Sequence, residues 1–497
     1  MPKLDRRNFL RGAGALGVGG ALGLGSTPFK AQAADEDRTR FLIVLAAAGG
    51  ASIIDSVMAI RASESANPTT INTFPDALVQ SVNGSPLRAV DLDRDSLGAI
   101  PFSFQSVQSD FVRKHYNDMM VVPTQRTSVN HAIGQRRSVT GNEIWAGRTL
   151  QELVANEFGA DFAIPNAHLS SGSGFTDRGT DASLPAHVFG EPITDPLLWP
   201  LALDSSKGLS RPFDAGRLAK ARALRGKLEQ RSKFNQVLGE ADKLKFWQHL
   251  RQEPREAVEA RDLINKLLLM PQSTKFPLSE YGLAGSDAAQ KARERFPLWE
   301  EDPLEAQAAL AYLLLRYRVS VSVTLGPSFS VELRDGKSIN DEGALLNPPI
   351  AFDFSHQGHR SVQALMWQRM YRVADGLIDL LKSEEYANGE SFWDRSMIYI
   401  ATDFGRTKTR PANSDEFSTG HDLNNGVLLI SPLVNGNKVL GGVDPNTGLT
   451  YGFNPSTGEP DVGRTMEESE VFAGILQALG VDTSPARLPD MRAMRKA

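Results

Sequence analysis

The chain contains no cysteine. That excludes disulfides, thiolate-ligated zinc, cysteine-held iron–sulfur clusters and thiol catalysis, so any metal site must be built from imidazoles, carboxylates and hydroxyls. Excess positive charge is lacking as well. The 497 residues carry a formal net charge of −5. Residues 1–33 hold Lys3, Arg6, Arg7, Arg11 and Lys30 against Asp5, a net +4, which leaves −9 for the remainder. An acidic chain lacks the basic footprint that general nucleic-acid binding requires, so no nucleic-acid partner is expected. Nor is there, beyond the first residues, an apolar run of the ~20 residues that a bilayer span needs. The mature chain is therefore expected not to be transmembrane.

What is present begins at the N-terminus. Arg6-Arg7-Asn8-Phe9-Leu10 looks like a twin-arginine export signal, followed by a weakly apolar stretch, Gly12 to Leu24, and the small-x-small triplet Ala31-Gln32-Ala33. Seven glycines between Gly12 and Gly25 dilute this stretch too far for a comfortable anchor. Residues 1–33 thus read as a cleaved leader. The twin-arginine export machinery is the expected partner, and the periplasm or the extracellular side the expected location.

Residues 34–497 read as one α/β domain. Phe41–Leu45, Met119–Pro123, Val319–Val323, Ser396–Ala401 and Gly426–Ile430 have the apolar content and length of strands. Helices are expected over 141–158, Leu304–Arg316, Ser361–Lys382 and Met466–Leu479. A helical insertion is expected around 213–270, its basic residues forming a solvated face, and residues 159–212 read as loop-rich. Strands alternating with helices imply a largely parallel central sheet flanked by helices.

Ligands of such sheets gather beyond the carboxyl ends of the strands. Four groups of polar residues fall just past predicted strands or in the loops between them: the Ser52/Asp55 loop, Asp353 with His356, Asp403, and His421. Carboxylates and imidazoles suit a divalent metal, zinc or manganese, and Arg406 offers bidentate recognition of an anionic oxygen pair. His131, in a polar loop with Asn130, is a further candidate. Taken singly, Asp55 also reads as a turn cap, Ser52 as a small turn residue and His359 as a surface residue.

The order of the motifs resembles the exported domain-of-unknown-function 1501 family, whose fold is related to alkaline phosphatases and sulfatases. The resemblance runs through the first strand with its Gly49-Gly50 loop, His131 with Ile144-Trp-Ala-Gly-Arg148, and Phe354-Ser-His356. It continues through Thr402-Asp-Phe-Gly-Arg-Thr407 and Thr419-Gly-His421. The departures are acidic ones: Ser52 follows Gly-Gly where the family has Asp, Asp353 is displaced by one position, and Asp403 replaces Glu. The resemblance implies an alkaline-phosphatase-like fold and a metal-dependent hydrolase of phosphate or sulfate esters. Asp353, His356, Asp403 and His421 would hold the metal, Ser52 would be the nucleophile, and Arg406 would clamp the anionic ester. The weakened acidic positions leave a second reading open, a non-catalytic exported protein for binding or envelope assembly.

Overall fold

Phe41 to Ala47 are all buried, because this strand lies in the middle of an eight-stranded sheet. The computed structural model describes residues 38–82, 84–94, 104–169, 174–202, 215–241, 263–327 and 351–496. The leader, with Arg6 and Arg7, lies outside them, as does most of Ser170–Gly174. The described residues from Thr39 onward form one compact unit.

The sheet strands are β1 (Phe41–Ala47), β2 (Met119–Thr124), β3 (Asn166–His168), β4 (Glu191–Pro192), β5 (Ser322–Leu325), β6 (Ser396–Thr402), β7 (Asn425–Ile430) and β8 (Lys438–Val439). Their order is β8-β2-β7-β6-β1-β5-β3-β4. Only β7 runs antiparallel to its neighbours, so the expected largely parallel α/β sheet is observed.

Helices α1 (Gln108–His115), α4 (Pro303–Arg316) and α5 (His359–Lys382) form one packed group. Helices α2 (His131–Thr140), α3 (Leu150–Phe158) and α6 (Glu468–Ala478) form another. Sandwiched strands must be apolar throughout, which is why β1, β2 and β6 read as continuous hydrophobic runs. Each fully buried Leu, Ile or Val contributes about 1.5–3 kcal/mol. Among the described residues no helix is long and apolar enough to cross a membrane.

Several expected boundaries move. The segment 141–158 is helical only from Leu150, where Thr149 and Glu152 form a capping box. Before it, Gly141, Asn142 and Glu143 have positive φ and turn the chain. The expected polar loop at His131 is instead the start of α2, with the Asn130 side chain accepting from the Ile133 amide. The strand expected at Val319–Val323 lies at Ser322–Leu325, because α4 runs to Arg316 and Arg318 takes a left-handed turn. The loop-rich stretch 159–212 contributes two short strands, β3 and β4. Within 213–270 the described helices are Ala215–Arg231, Lys233–Leu238 and Leu263–Leu267.

Register places the site. β1 and β6 pair from Phe41↔Ser396 to Ala47↔Thr402, so residues 48–50 and Asp403 leave the sheet side by side. β7 begins opposite the end of β2, Asn425↔Thr124, which brings the segment before β7 to the same edge as the segment after β2. Those segments carry His421 and His131.

Candidate metal centre

The turn after β1 is a pair of glycines with positive φ, +96° at Gly49 and +82° at Gly50. Neither has room for a side chain. A Cβ on Gly49 would lie 2.2 Å from the Asp353 amide nitrogen, and one on Gly50 would lie 2.8 Å from Arg406 Nε. The turn aims both amides at the Asp403 carboxylate, with Gly50 N at 2.7 Å from Oδ1 and Gly49 N at 3.1 Å from Oδ2. Gln135 Nε2 donates to Oδ2 at 3.3 Å, and His131 Nδ1 lies 2.9 Å from the same oxygen. Asp403 is buried, and its oxygens are occupied by these donors.

A carboxylate so placed fixes the imidazole beside it. It can only accept, so His131 Nδ1 carries the proton and Nε2 faces the other way, 3.3 Å from Asp353 Oδ1. Asp353 lies in the one-and-a-half-turn helix Phe352–His356, anchored where the Phe352 amide donates to the Ala48 carbonyl. The buried Arg406 donates from Nη2 to the same Asp353 oxygen at 2.9 Å, and to the Gly49 carbonyl.

His356, three residues on, brings its Nε2 to 3.4 Å from Asp353 Oδ1. His421 Nε2 lies 3.7 Å from that oxygen and 2.9 Å from His356 Nε2. The other ring nitrogen of His421 donates to the Val129 carbonyl at 2.6 Å, and the ring stacks on Phe404 at 3.9 Å between centroids. Three imidazole Nε2 atoms and one carboxylate oxygen therefore converge at the carboxyl edge of the sheet. Of these, His131, Asp353 and His421 offer ligand atoms that all lie within 4.8 Å of one another. Side-chain exposures of 44% for His356, 34% for His131 and 32% for Asp353 show that the cluster opens to solvent.

Opposite charges meet in the cluster and shift its groups. Hydrogen bonds to Asp353 and Asp403 raise the His131 pKa to about 9. Burial pushes Asp353 up, but the hydrogen bonds from His131 and Arg406 outweigh it and hold the carboxylate well below its ordinary range. Burial and the Arg406 charge lower His356.

The sequence candidates thus separate. Asp353, His356, His421 and His131 meet. Asp403, expected as a ligand, lies behind His131 and is spent on it and on backbone amides. Arg406, expected as an anion clamp, is fully buried and bonded to Asp353 and to the Gly49 and Thr419 carbonyls. Ser52, expected as a nucleophile, is 1% exposed. Its backbone is held by Gln363 and Trp367. Asp55 pairs with His359 in a separate buried cluster. His359, expected at the surface, is fully buried, and nothing in its sequence neighbourhood distinguishes it from an exposed helix start. No family model matches the chain, and comparison with curated proteins finds no match.

Proposed function

We propose that the chain binds one divalent ion, zinc before manganese, through His131, Asp353, His356 and His421, and acts on anionic phosphate or sulfate esters after export. The observation that carries this reading is the convergence of three Nε2 atoms on one carboxylate oxygen, with His131 and His421 turned inward by acceptors on Nδ1. Metal-bound imidazoles are oriented in this way. The spacing fits too. Bonds of 2.0–2.1 Å in a tetrahedron put donor atoms about 3.3–3.4 Å apart. The Asp353 separations are 3.3, 3.4 and 3.7 Å, close to that edge, whereas the His356 and His421 Nε2 atoms, 2.9 Å apart, would have to separate by about half an ångström to reach it. Three imidazoles favour zinc over manganese, which prefers carboxylate and water oxygens.

When bound, such an ion supplies Lewis-acid polarisation of an ester oxygen. The chain's own residues orient it. Asp403 fixes the ring of His131, the Val129 carbonyl that of His421, and Arg406 the carboxylate of Asp353. Burial of Ser52 argues against its attack on substrate, so its role passes to solvent water entering at the exposed side of the cluster. The alkaline-phosphatase-like relationship and the resemblance to the domain-of-unknown-function 1501 family belong to this proposal, as does delivery by the twin-arginine route. Lysine at both Arg6 and Arg7 is expected to hold the chain inside the cell, and export of that variant would refute the route.

One observation favours the alternative, a non-catalytic metal protein of the envelope. Four protein donors fill a four-coordinate shell, as structural zinc sites do, whereas catalytic sites keep a position open. Turnover of a generic aryl phosphate or aryl sulfate by the zinc-loaded chain, lost in His421→Ala, decides for the hydrolase. A zinc-loaded chain inert to both substrates decides for the alternative.

A further inference from the structure

His359, three residues after His356, is the first residue of α5 and is wholly buried. Its Nε2 lies 3.0 Å from Asp55 Oδ2. Asn72 Nδ2 donates to both oxygens of Asp55, at 3.0 and 3.1 Å. A carboxylate only accepts, so Nε2 carries the proton of His359 and Nδ1 is turned to its other neighbour. That neighbour is Thr419 Oγ1, at 2.9 Å. The Thr419 amide also donates to the Ser355 carbonyl at 3.0 Å, and the hydroxyl oxygen lies 3.3 Å from the same carbonyl. The His359 amide donates to the Phe417 carbonyl at 2.8 Å, and its ring packs on Phe417.

These bonds join two short segments, 355–359 and 417–421. The first carries His356 and the second His421, the pair whose Nε2 atoms stand 2.9 Å apart. We infer that the buried Asp55–His359–Thr419 relay is the positioning device of the metal centre: it sets the separation of His356 and His421. The inference rests on the proposed metal site.

A carboxylate, an imidazole and a hydroxyl in this order also form a nucleophilic triad where the hydroxyl can reach substrate. Thr419 is 3% exposed and cannot. The relay, with Asp55 and His359 both buried, ties the segment of His356 to that of His421. What it supplies is orientation. The one hydrogen of the Thr419 hydroxyl serves His359 Nδ1, at 2.9 Å, so removing that hydroxyl loosens the segment that carries His421 while leaving the Asp55–His359 pair whole.

The test uses the full chain with Thr419→Val and Thr419→Ser. Three quantities are measured: zinc affinity by competition with a chromogenic chelator, the visible spectrum of the cobalt(II)-loaded protein, and the melting temperature in excess chelator. Outer-shell partners of metal ligands typically change affinity by about 10- to 100-fold. Thr419→Val is expected to weaken zinc binding by at least about ten-fold and to alter the cobalt spectrum, and Thr419→Ser to restore both. Zinc affinity and cobalt spectrum unchanged in Thr419→Val, with only the melting temperature lowered, would overturn the positioning role and leave the metal site standing. Absence of zinc binding in the unsubstituted chain would remove the site and the relay's role together. If Thr419→Val does not fold, Thr419→Ala deletes the same hydroxyl with less apolar bulk and is read the same way.

Discussion

His131 Nδ1 and Asp403 Oδ2 stand 2.9 Å apart across 272 positions of sequence. That bond joins the start of α2 to the end of β6, and it turns an imidazole outward from the sheet toward Asp353. Its anchor is the Gly49–Gly50 turn, whose amides hold the Asp403 carboxylate from the other side. A Cβ on Gly134 would lie 2.3 Å from the Asp403 carbonyl oxygen, so the helix approaches Asp403 more closely than any residue but glycine allows.

Asp403→Asn keeps the shape and removes the charge. The amide group turns an N–H toward one of the Gly49, Gly50, Gln135 or His131 donors, and a buried donor left without an acceptor costs about 1–3 kcal/mol. The variant is expected to lose roughly that much stability by urea unfolding in chelator. Zinc affinity should fall by about 10- to 100-fold. Unchanged affinity would show that His131 does not depend on this carboxylate.

Protonation of the metal-free centre should be visible in stability. His131 gains its acceptors only on folding, and its pKa rises from 6.5 to about 9. Its contribution is therefore complete below pH 6.5 and is lost as pH climbs through about 9. Asp353 behaves oppositely, because folding lowers it: its contribution is present above the ordinary carboxylate range and is lost as acid reaches the depressed pKa. In chelator, the melting temperature of the native chain should exceed that of His131→Gln at neutral pH, and the gap should close toward about pH 9 to 10. A gap independent of pH would contradict the assignment. Zinc binding near neutrality must also displace the His131 proton, so its calorimetric heat should vary with buffer ionisation enthalpy.

The glycine turn gives an internal comparison. Gly49→Ala is expected to cost well above the 1–3 kcal/mol typical of a residue held in a sparsely populated conformation, because the new Cβ also meets the Asp353 backbone. Gly84 has φ of +72° and nothing within 4 Å of a built Cβ, so Gly84→Ala should show the conformational cost alone, about 1 kcal/mol. Equal losses at the two positions would mean that the close approach of Gly49 to Asp353 is not what requires glycine there.

Ser52 and His421 separate the two ways an ester could be attacked. If the zinc-loaded chain turns over an aryl phosphate or sulfate, Ser52→Ala should leave that activity essentially intact, since the hydroxyl is buried, and His421→Ala should abolish it. Activity lost in Ser52→Ala with zinc content and fold intact would restore the serine as nucleophile.

Much of this arrangement was legible in the sequence, and the failures have physical causes. β1, β2, β6 and β7 announced themselves because strands covered on both faces must be apolar throughout. α2 did not: its buried positions include Gly134, Gln135 and Ser138, which serve Asp403 and its surroundings rather than an apolar core. β3 is three residues long, too short for periodicity to register. All four converging donors, His131, Asp353, His356 and His421, were readable as candidates from their positions just past predicted strands or in the loops between them, together with the order of the motifs. Whether a carboxylate faces the site or lies behind it is not a property of local sequence. Asp353 and Asp403 both sit near strand or turn ends, and only long-range pairing gives one to the cluster and the other to glycine amides. The same holds for His359, which Asp55 and Asn72 enclose from far away in the chain.

Binding of a single metal by His131, Asp353, His356 and His421 is read out by metal analysis of the full chain, purified without chelator and then titrated with zinc. One tightly bound zinc per chain is expected, lost in His421→Ala and in Asp353→Asn while both variants remain folded. No stoichiometric zinc in the native chain, or equal binding by folded His421→Ala, would contradict it.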